Sequence, residues 1–176
     1  MADIQGTGAG ETLTGTTLDD TIKGAGGNDT VTGLTGNDAV NGGSGDDVLK
    51  GGNGDDTLDG GTGTDTATYA DAFSGVTVSL MQQGSAQDTG GAGLDKLVNI
   101  ENLTGSAFDD TLGGDAGNNV LDGGGDDSGD GGVGDTVSYA DATAGVTVSL
   151  AITVAQHTLG AGTDTLTNFE NLTGSA

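Results

Sequence analysis

Apolar residues recur singly along the first third of the chain, one every nine positions: Leu13, Ile22, Val31, Val40, Leu49, Leu58 and Ala67. Their neighbours are mostly polar, as in Thr12 and Thr14, Thr30 and Thr32, or Thr57 and Asp59. Such alternation predicts a three-residue strand with its middle side chain turned inward and its flanks outward. Gly-rich stretches separate the strands, and glycine supplies the positive φ that their turns need. From Gly6 to Thr68 the unit repeats without slipping phase: GTGAGETLT, GTTLDDTIK, GAGGNDTVT, GLTGNDAVN, GGSGDDVLK, GGNGDDTLD and GGTGTDTAT. Each copy ends in an acid, a spacer, an apolar residue and one more position. A nine-residue glycine/aspartate repeat predicts an all-β chain wound as a parallel β-solenoid, with metal in its turns.

The pattern changes after the block. In YADAFSGVTVSL, Tyr69 to Leu80, Val76, Val78 and Leu80 alternate with Thr77 and Ser79 and predict a half-buried strand. Leu97, Ile100 and Leu103, matched later by Leu166, Phe169 and Leu172, have helix-like spacing. Their Asn, Thr and Gly neighbours favour a wide solenoid turn instead. The nine-residue phase returns as GSAFDDTLG and GDAGNNVLD, then loosens into GGGDDSGD and GGVGDTVS. YADATAGVTVSL then repeats the first bridge at an offset of 70, and TNFENLTGSA repeats VNIENLTGSA at an offset of 69. The expected organisation is a lead-in or cap over 1–5, a nonapeptide block over 6–68 and a bridge over 69–104. A degenerate block over 105–138 and a second bridge over 139–176 complete it. The second bridge stops where the first copy runs on into FDDTLGGD, so the sequence reads as a fragment of a longer repeat protein.

Charge narrows the chemistry. The chain carries 27 acids against three lysines and no Arg, a formal charge of −24. A polyanion of this kind has no footprint for nucleic acid or anionic lipid. Only Glu11, Glu101 and Glu170 are Glu, so 27 − 3 = 24 acids are Asp. Short carboxylates in fixed phase with glycine point to hard-cation binding in turns rather than to a solvated acidic tract. No apolar run is long enough to span a membrane. The first residues lack the basic and apolar regions of a cleaved signal. There is no Cys, so disulfides do not staple the thin core.

The copies GGSGDDVLK, GGNGDDTLD and GGTGTDTAT, with GAGGNDTVT one Ala away, fit the form GGxGxDxUx. In this they resemble the RTX family of calcium-binding nonapeptide repeats. The resemblance covers the first block fully and the second in part. It implies a parallel β-roll with two nonapeptides per turn and several Ca²⁺ ions between stacked loops. Glu11, Asp29, Asp47 and Asp65 would align on one side, and Asp20, Asp38 and Asp56 on the other. It further implies that the sixth-position Asp of each loop binds the ion. Backbone carbonyls at the second and fourth positions would complete the site: Ala25 and Gly27, Leu34 and Gly36, Gly43 and Gly45, Gly52 and Gly54, Gly61 and Gly63. Leu18 in place of Gly, Glu11 in place of Asp, Asn119 in place of Asp, and Gly129 in place of an aliphatic all depart from the motif. Sites at Asp20, Asp110, Asp127 and Asp135 are accordingly weaker expectations. Physics points the same way, since stacked carboxylates repel by roughly 4 kcal/mol per pair at an effective dielectric of 20. A bridging cation reverses that term and couples binding to folding.

Other signals carry less. Asp126 to Gly131 opens like an EF-hand loop, but Val137 stands where the closing Glu belongs. His157 is the one His and reads as a solvated loop residue. An active site is singular, whereas these acids recur at every turn, so no enzyme is expected. Thr12/Thr14, Thr30/Thr32 and Thr66/Thr68 would form one face of the kind that binds ice, but Val48 and Lys50 interrupt it. The expected function is a calcium-binding structural repeat of a secreted or cell-surface bacterial protein. The family implies type I secretion and folding on calcium after export. The leading role is an adhesin-like rigid spacer, and the rival is the accessory tail of a secreted enzyme or toxin such as a protease, lipase or alginate epimerase. Exposed solenoid ends would allow self-association.

Overall fold

The computed structural model describes residues 1–125 and 134–175. Its strands stack in three sheets, almost entirely in parallel. The first sheet runs β1 (Asp3–Gln5), β3 (Thr21–Gly26), β5 (Ala39–Ser44), β7 (Thr57–Thr62) and β11 (Leu94–Val98), with β10 (Ala86–Asp88) antiparallel at its edge. The second runs β2 (Thr12–Thr14), β4 (Thr30–Thr35), β6 (Val48–Asn53), β8 (Thr66–Thr68), β12 (Asn102–Thr104), β14 (Val120–Asp122) and β17 (Thr163–Thr167). There β16 (Gln156–His157) takes the antiparallel edge. The third runs β9 (Thr77–Ser79), β13 (Thr111–Gly113), β15 (Thr136–Ser138) and β18 (Asn171–Thr173).

Register follows the repeat. Ile22 pairs with Val40 and Val40 with Leu58 on one face, and Val31 with Leu49 on the other. Copies two apart are therefore neighbours, and two nonapeptides make one rung, as a parallel β-roll requires. The inward aliphatics Ile22, Val31, Val40, Leu49, Leu58 and Ala67 are all buried. They form one continuous thin core with Leu97, Leu103, Leu112, Leu121, Val137 and Leu166.

Two local expectations change. β3 to β7 span six residues, not three, because pairing runs across the repeat boundary into the next turn. The three-residue β2 and β12 run instead into turns that close differently, as described below. In the first bridge Val76, Val78 and Leu80 are buried and β9 pairs with β13 through Val78 and Leu112. Their counterparts Val146, Val148 and Leu150 pack only partly against the core and form no strand. Among the described residues they have no neighbour equivalent to β13. Leu97 and Leu103 lie on strands of different sheets, and the chain bends between them at Asn99, whose φ is 51°.

Candidate metal centre

Each of five consecutive turns bends at two places. The second repeat position has positive φ at Ala25, Leu34, Gly43, Gly52 and Gly61, and the fourth at Gly27, Gly36, Gly45, Gly54 and Gly63. This double bend turns carbonyls toward the rung above. A Cβ built on Gly54 would collide with the Gly36 carbonyl oxygen, and one on Gly52 with that of Leu34. The fourth position is Gly in all five copies, whereas Ala25 and Leu34 show that a side chain is accommodated at the second.

The sixth-position acids line up along the axis. The Glu11 N–H donates to Asp29 Oδ1 (2.7 Å), Asp29 N–H to Asp47 Oδ1 (2.7 Å), and Asp47 N–H to Asp65 Oδ1 (2.8 Å). On the other side Asp20 N–H donates to Asp38 Oδ1 (2.7 Å) and Asp38 N–H to Asp56 Oδ1 (2.8 Å). One carboxylate oxygen of each acid is thus fixed by the preceding rung. The other has no such partner: Oδ2 of Asp29, Asp38, Asp47, Asp56 and Asp65 is buried and makes no hydrogen bond. A buried oxygen without a donor is costly, and here it recurs in five consecutive turns of the regular block.

The field is equally uncompensated. Burial, then repulsion from neighbouring acids, pushes Asp56 up to about 7 and Asp65 up to about 6, against the pull of a backbone N–H. Asp38 and Asp47 are raised for the same reasons. Among the described residues the ion pairs are Lys50 with Asp71 at the surface and the terminal ammonium with Asp20. Neither reaches the five open turns. No three acidic side chains converge among the described residues, so a site here would consist of two stacked carboxylates completed by main-chain carbonyls. Buried anionic oxygens, turned carbonyls and no local cation suit a hard oxygen-seeking ion such as calcium.

The weaker expected sites differ. Asp20 Oδ2 accepts the Thr16 N–H (2.6 Å) and hydroxyl (2.7 Å) within its own turn. Burial pushes this acid up, but the Thr16 hydroxyl, backbone donors and the terminal ammonium outweigh it and hold it below its ordinary value. Asp110 is likewise met by the Ser106 N–H (2.5 Å) and hydroxyl (2.8 Å). A Thr or Ser at the second position thus closes the turn on its own acid, and the protein supplies the donors that the open turns lack. Asp135 continues this third row: Asp110 N–H donates to its Oδ1 (2.8 Å), and burial with neighbouring acids pushes it up to about 6. Asp127, Gly129 and the EF-hand-like opening lie outside the described residues. His157 is exposed on the edge strand β16, not on a loop, and its Nδ1 accepts the Leu159 N–H (3.2 Å).

Several rung acids were missed by the sequence reading. Asp65 N–H donates to Glu101 Oε2 (2.8 Å), Asp56 N–H to Asp95 Oδ1 (3.0 Å), Asn119 N–H to Asp164 Oδ1 (3.0 Å), and Asp135 N–H to Glu170 Oε2 (2.9 Å). The signal was present as acid–spacer–apolar triplets: Asp95-Lys96-Leu97, Glu101-Asn102-Leu103, Asp164-Thr165-Leu166 and Glu170-Asn171-Leu172. The fifth position also makes a ladder, at the surface. Asp46 N–H donates to Asn28 Oδ1 (3.0 Å), Thr64 N–H to Asp46 Oδ1 (2.9 Å) and Leu94 N–H to Asp55 Oδ1 (3.0 Å).

No curated protein matches the chain. The sequence model of the RTX calcium-binding nonapeptide repeat, in 4 copies, matches residues 5–40, 32–67 and 100–137, more than half of the chain. With its two-copy rungs, stacked Gly/Asp turns and parallel sheets, the chain belongs to the RTX family of calcium-binding nonapeptide repeats.

Proposed function

We propose that the chain is a calcium-folded structural module whose ions lie between the open turns. Asp29, Asp38, Asp47, Asp56 and Asp65 would bind them, with carbonyls of the positive-φ residues Ala25 and Gly27, Leu34 and Gly36, Gly43 and Gly45, Gly52 and Gly54, and Gly61 and Gly63. The observation that carries this reading is the row of five buried Oδ2 atoms without a hydrogen-bond donor. A divalent cation satisfies those oxygens and cancels the repulsion between rungs. Without it the thin core must hold a stack of unpaired buried charges, so the chain is largely unfolded in chelator and a rigid roll in calcium.

A chain that folds only in calcium stays unfolded where calcium is scarce and folds where it is plentiful. This supports a secreted or cell-surface role, with export before folding, as a stiff spacer in an adhesin-like protein. Among the described residues no helix is long and apolar enough to cross a membrane. Among the described residues the acids recur rung after rung and form no singular constellation, which favours scaffold over catalyst. The test is a calcium titration followed by far-ultraviolet circular dichroism with a magnesium control. A cooperative coil-to-β transition at roughly 10⁻⁴–10⁻³ M calcium is expected, the range of extracellular modules. Magnesium, which demands tight octahedral sites, should substitute poorly. A spectrum already fully β in chelator would sink the reading.

A further inference from the structure

The bridges contain a nonapeptide that the block pattern hides. GGAGLDKLV, Gly90 to Val98, fits GGxGxDxUx throughout, and its counterpart LGAGTDTLT, Leu159 to Thr167, fits in all but its first position. Both sit in register on the roll. Lys96 to Val98 stack on Thr57 to Asp59, and Thr165 to Thr167 stack on Val120 to Asp122. By motif alone each is a further calcium turn.

The structure fills both turns with protein donors. Gly162, at the fourth position, has its carbonyl taken by the Thr158 N–H (3.0 Å) and hydroxyl (2.9 Å). Gly93 is held identically by the Thr89 N–H (2.8 Å) and hydroxyl (2.8 Å). Asp164 Oδ2, the oxygen left free in the open turns, accepts the Tyr139 hydroxyl at 2.9 Å. In the first bridge the Tyr69 hydroxyl lies beside Asp95, short of hydrogen-bonding geometry, and Thr89 Oγ1 is 3.5 Å from Asp95 Oδ2. Tyr69, Tyr139, Thr89, Thr158, Asp95 and Asp164 are all buried. The antiparallel pairs β10–β11 and β16–β17 bring each Thr back over its glycine carbonyl.

We infer that these two motif-matching rungs take no cation: a buried Tyr and Thr occupy the ligand positions, and each bridge closes a calcium row with a metal-free rung. The inference rests on the calcium reading of the open turns. Tyr69 and Tyr139 are thereby residues that set how many ions the chain binds.

The test counts calcium ions per chain by titration calorimetry for the unsubstituted protein, Asp164→Asn and Asp47→Asn, each checked for β structure in calcium. An Asn at 164 still accepts from Asn119 and can donate to the Tyr139 oxygen. Asp164→Asn is expected to bind as many ions as the unsubstituted chain, with a midpoint within about twofold, while Asp47→Asn loses at least one. Loss of an ion in Asp164→Asn overturns the inference while leaving the open-turn reading intact. An unchanged count in Asp47→Asn, or no binding by the unsubstituted chain, overturns the open-turn reading and this inference with it. Should Asp164→Asn fail to fold, proton NMR of the calcium-loaded unsubstituted chain decides. A slowly exchanging Tyr139 hydroxyl proton supports the closed rung, and its absence overturns it.

Discussion

Asp56→Asn should act in opposite directions with and without calcium. Asp56 is buried between Asp38 and Asp95, its Oδ1 held by the Asp38 N–H at 2.8 Å and its Oδ2 without a donor. Burial and the two flanking acids raise it from 3.8 to about 7. That shift of about three pH units is about 4 kcal/mol at 1.36 kcal/mol per unit, and about 2 kcal/mol after allowing for screening by water at the turn's rim. The folded pKa lies above the unfolded one, so stability is intact below about pH 4 and lost as pH rises through about 7. Asn keeps the Oδ1 acceptor and removes the charge. At pH 8 in chelator it should therefore raise the β population by the equivalent of about 2 kcal/mol, an advantage that vanishes at pH 4. In calcium the same change removes a ligand and should raise the folding midpoint about tenfold or more, since even outer-shell losses cost that much at metal sites. Circular dichroism at both pH values, in chelator and across a calcium titration, reads all four quantities. A change of the same sign in chelator and in calcium, or none in either, would refute the reasoning.

Other outcomes follow from the same geometry. Lowering pH from 8 to 5 in chelator should increase β content, because Asp56, raised to about 7, and Asp65 and Asp135, raised to about 6, become neutral; the calcium midpoint should rise over the same window as protons compete. Gly54→Ala should cost at least about 2 kcal/mol in calcium-loaded protein, since φ is 137° and the new Cβ meets the Gly36 carbonyl; chemical unfolding reads it. Leu34→Gly should stabilise by about 0.5–1 kcal/mol in the same assay. Leu34 is partly exposed with φ of 90°, and relief of left-handed strain exceeds the entropy that glycine adds to the unfolded chain.

The regular block was legible because one period governs everything in it. Leu49 and Asp47 announce an inward residue and a turn acid, and the copy two away supplies the same pair, so register and ladder follow together. Legibility fails where chain length between rungs varies. Asp56 stacks on Asp95, 39 residues on, so a search at a period of nine passes over it; Asp65 stacks on Glu101, 36 on, which keeps the phase but lies in the bridge, past the unbroken block. What persists through the irregular bridges is the local triplet of acid, spacer and aliphatic, because each rung needs one acceptor for its neighbour's N–H and one side chain for the core. The motif also overstates the chemistry. Asp20 and Asp110 match it at the acid, yet Thr16 and Ser106 at the second position close their turns. The residue at the second position and the contacts of the second oxygen together separate an open turn from a closed one.

The 18-residue register of the regular block has a mechanical consequence. One full turn advances the axis by about 4.8 Å, the spacing of neighbouring strands, whereas the same 18 residues drawn straight span about 60 Å. Tension along the axis runs across the strand-to-strand hydrogen bonds and opens them in series, one coil at a time. Each coil that opens releases about 55 Å of contour length. With ions between the stacked acids, as proposed above, the force at which each coil yields would rise with calcium, and the stiff roll would become extensible where calcium is withdrawn.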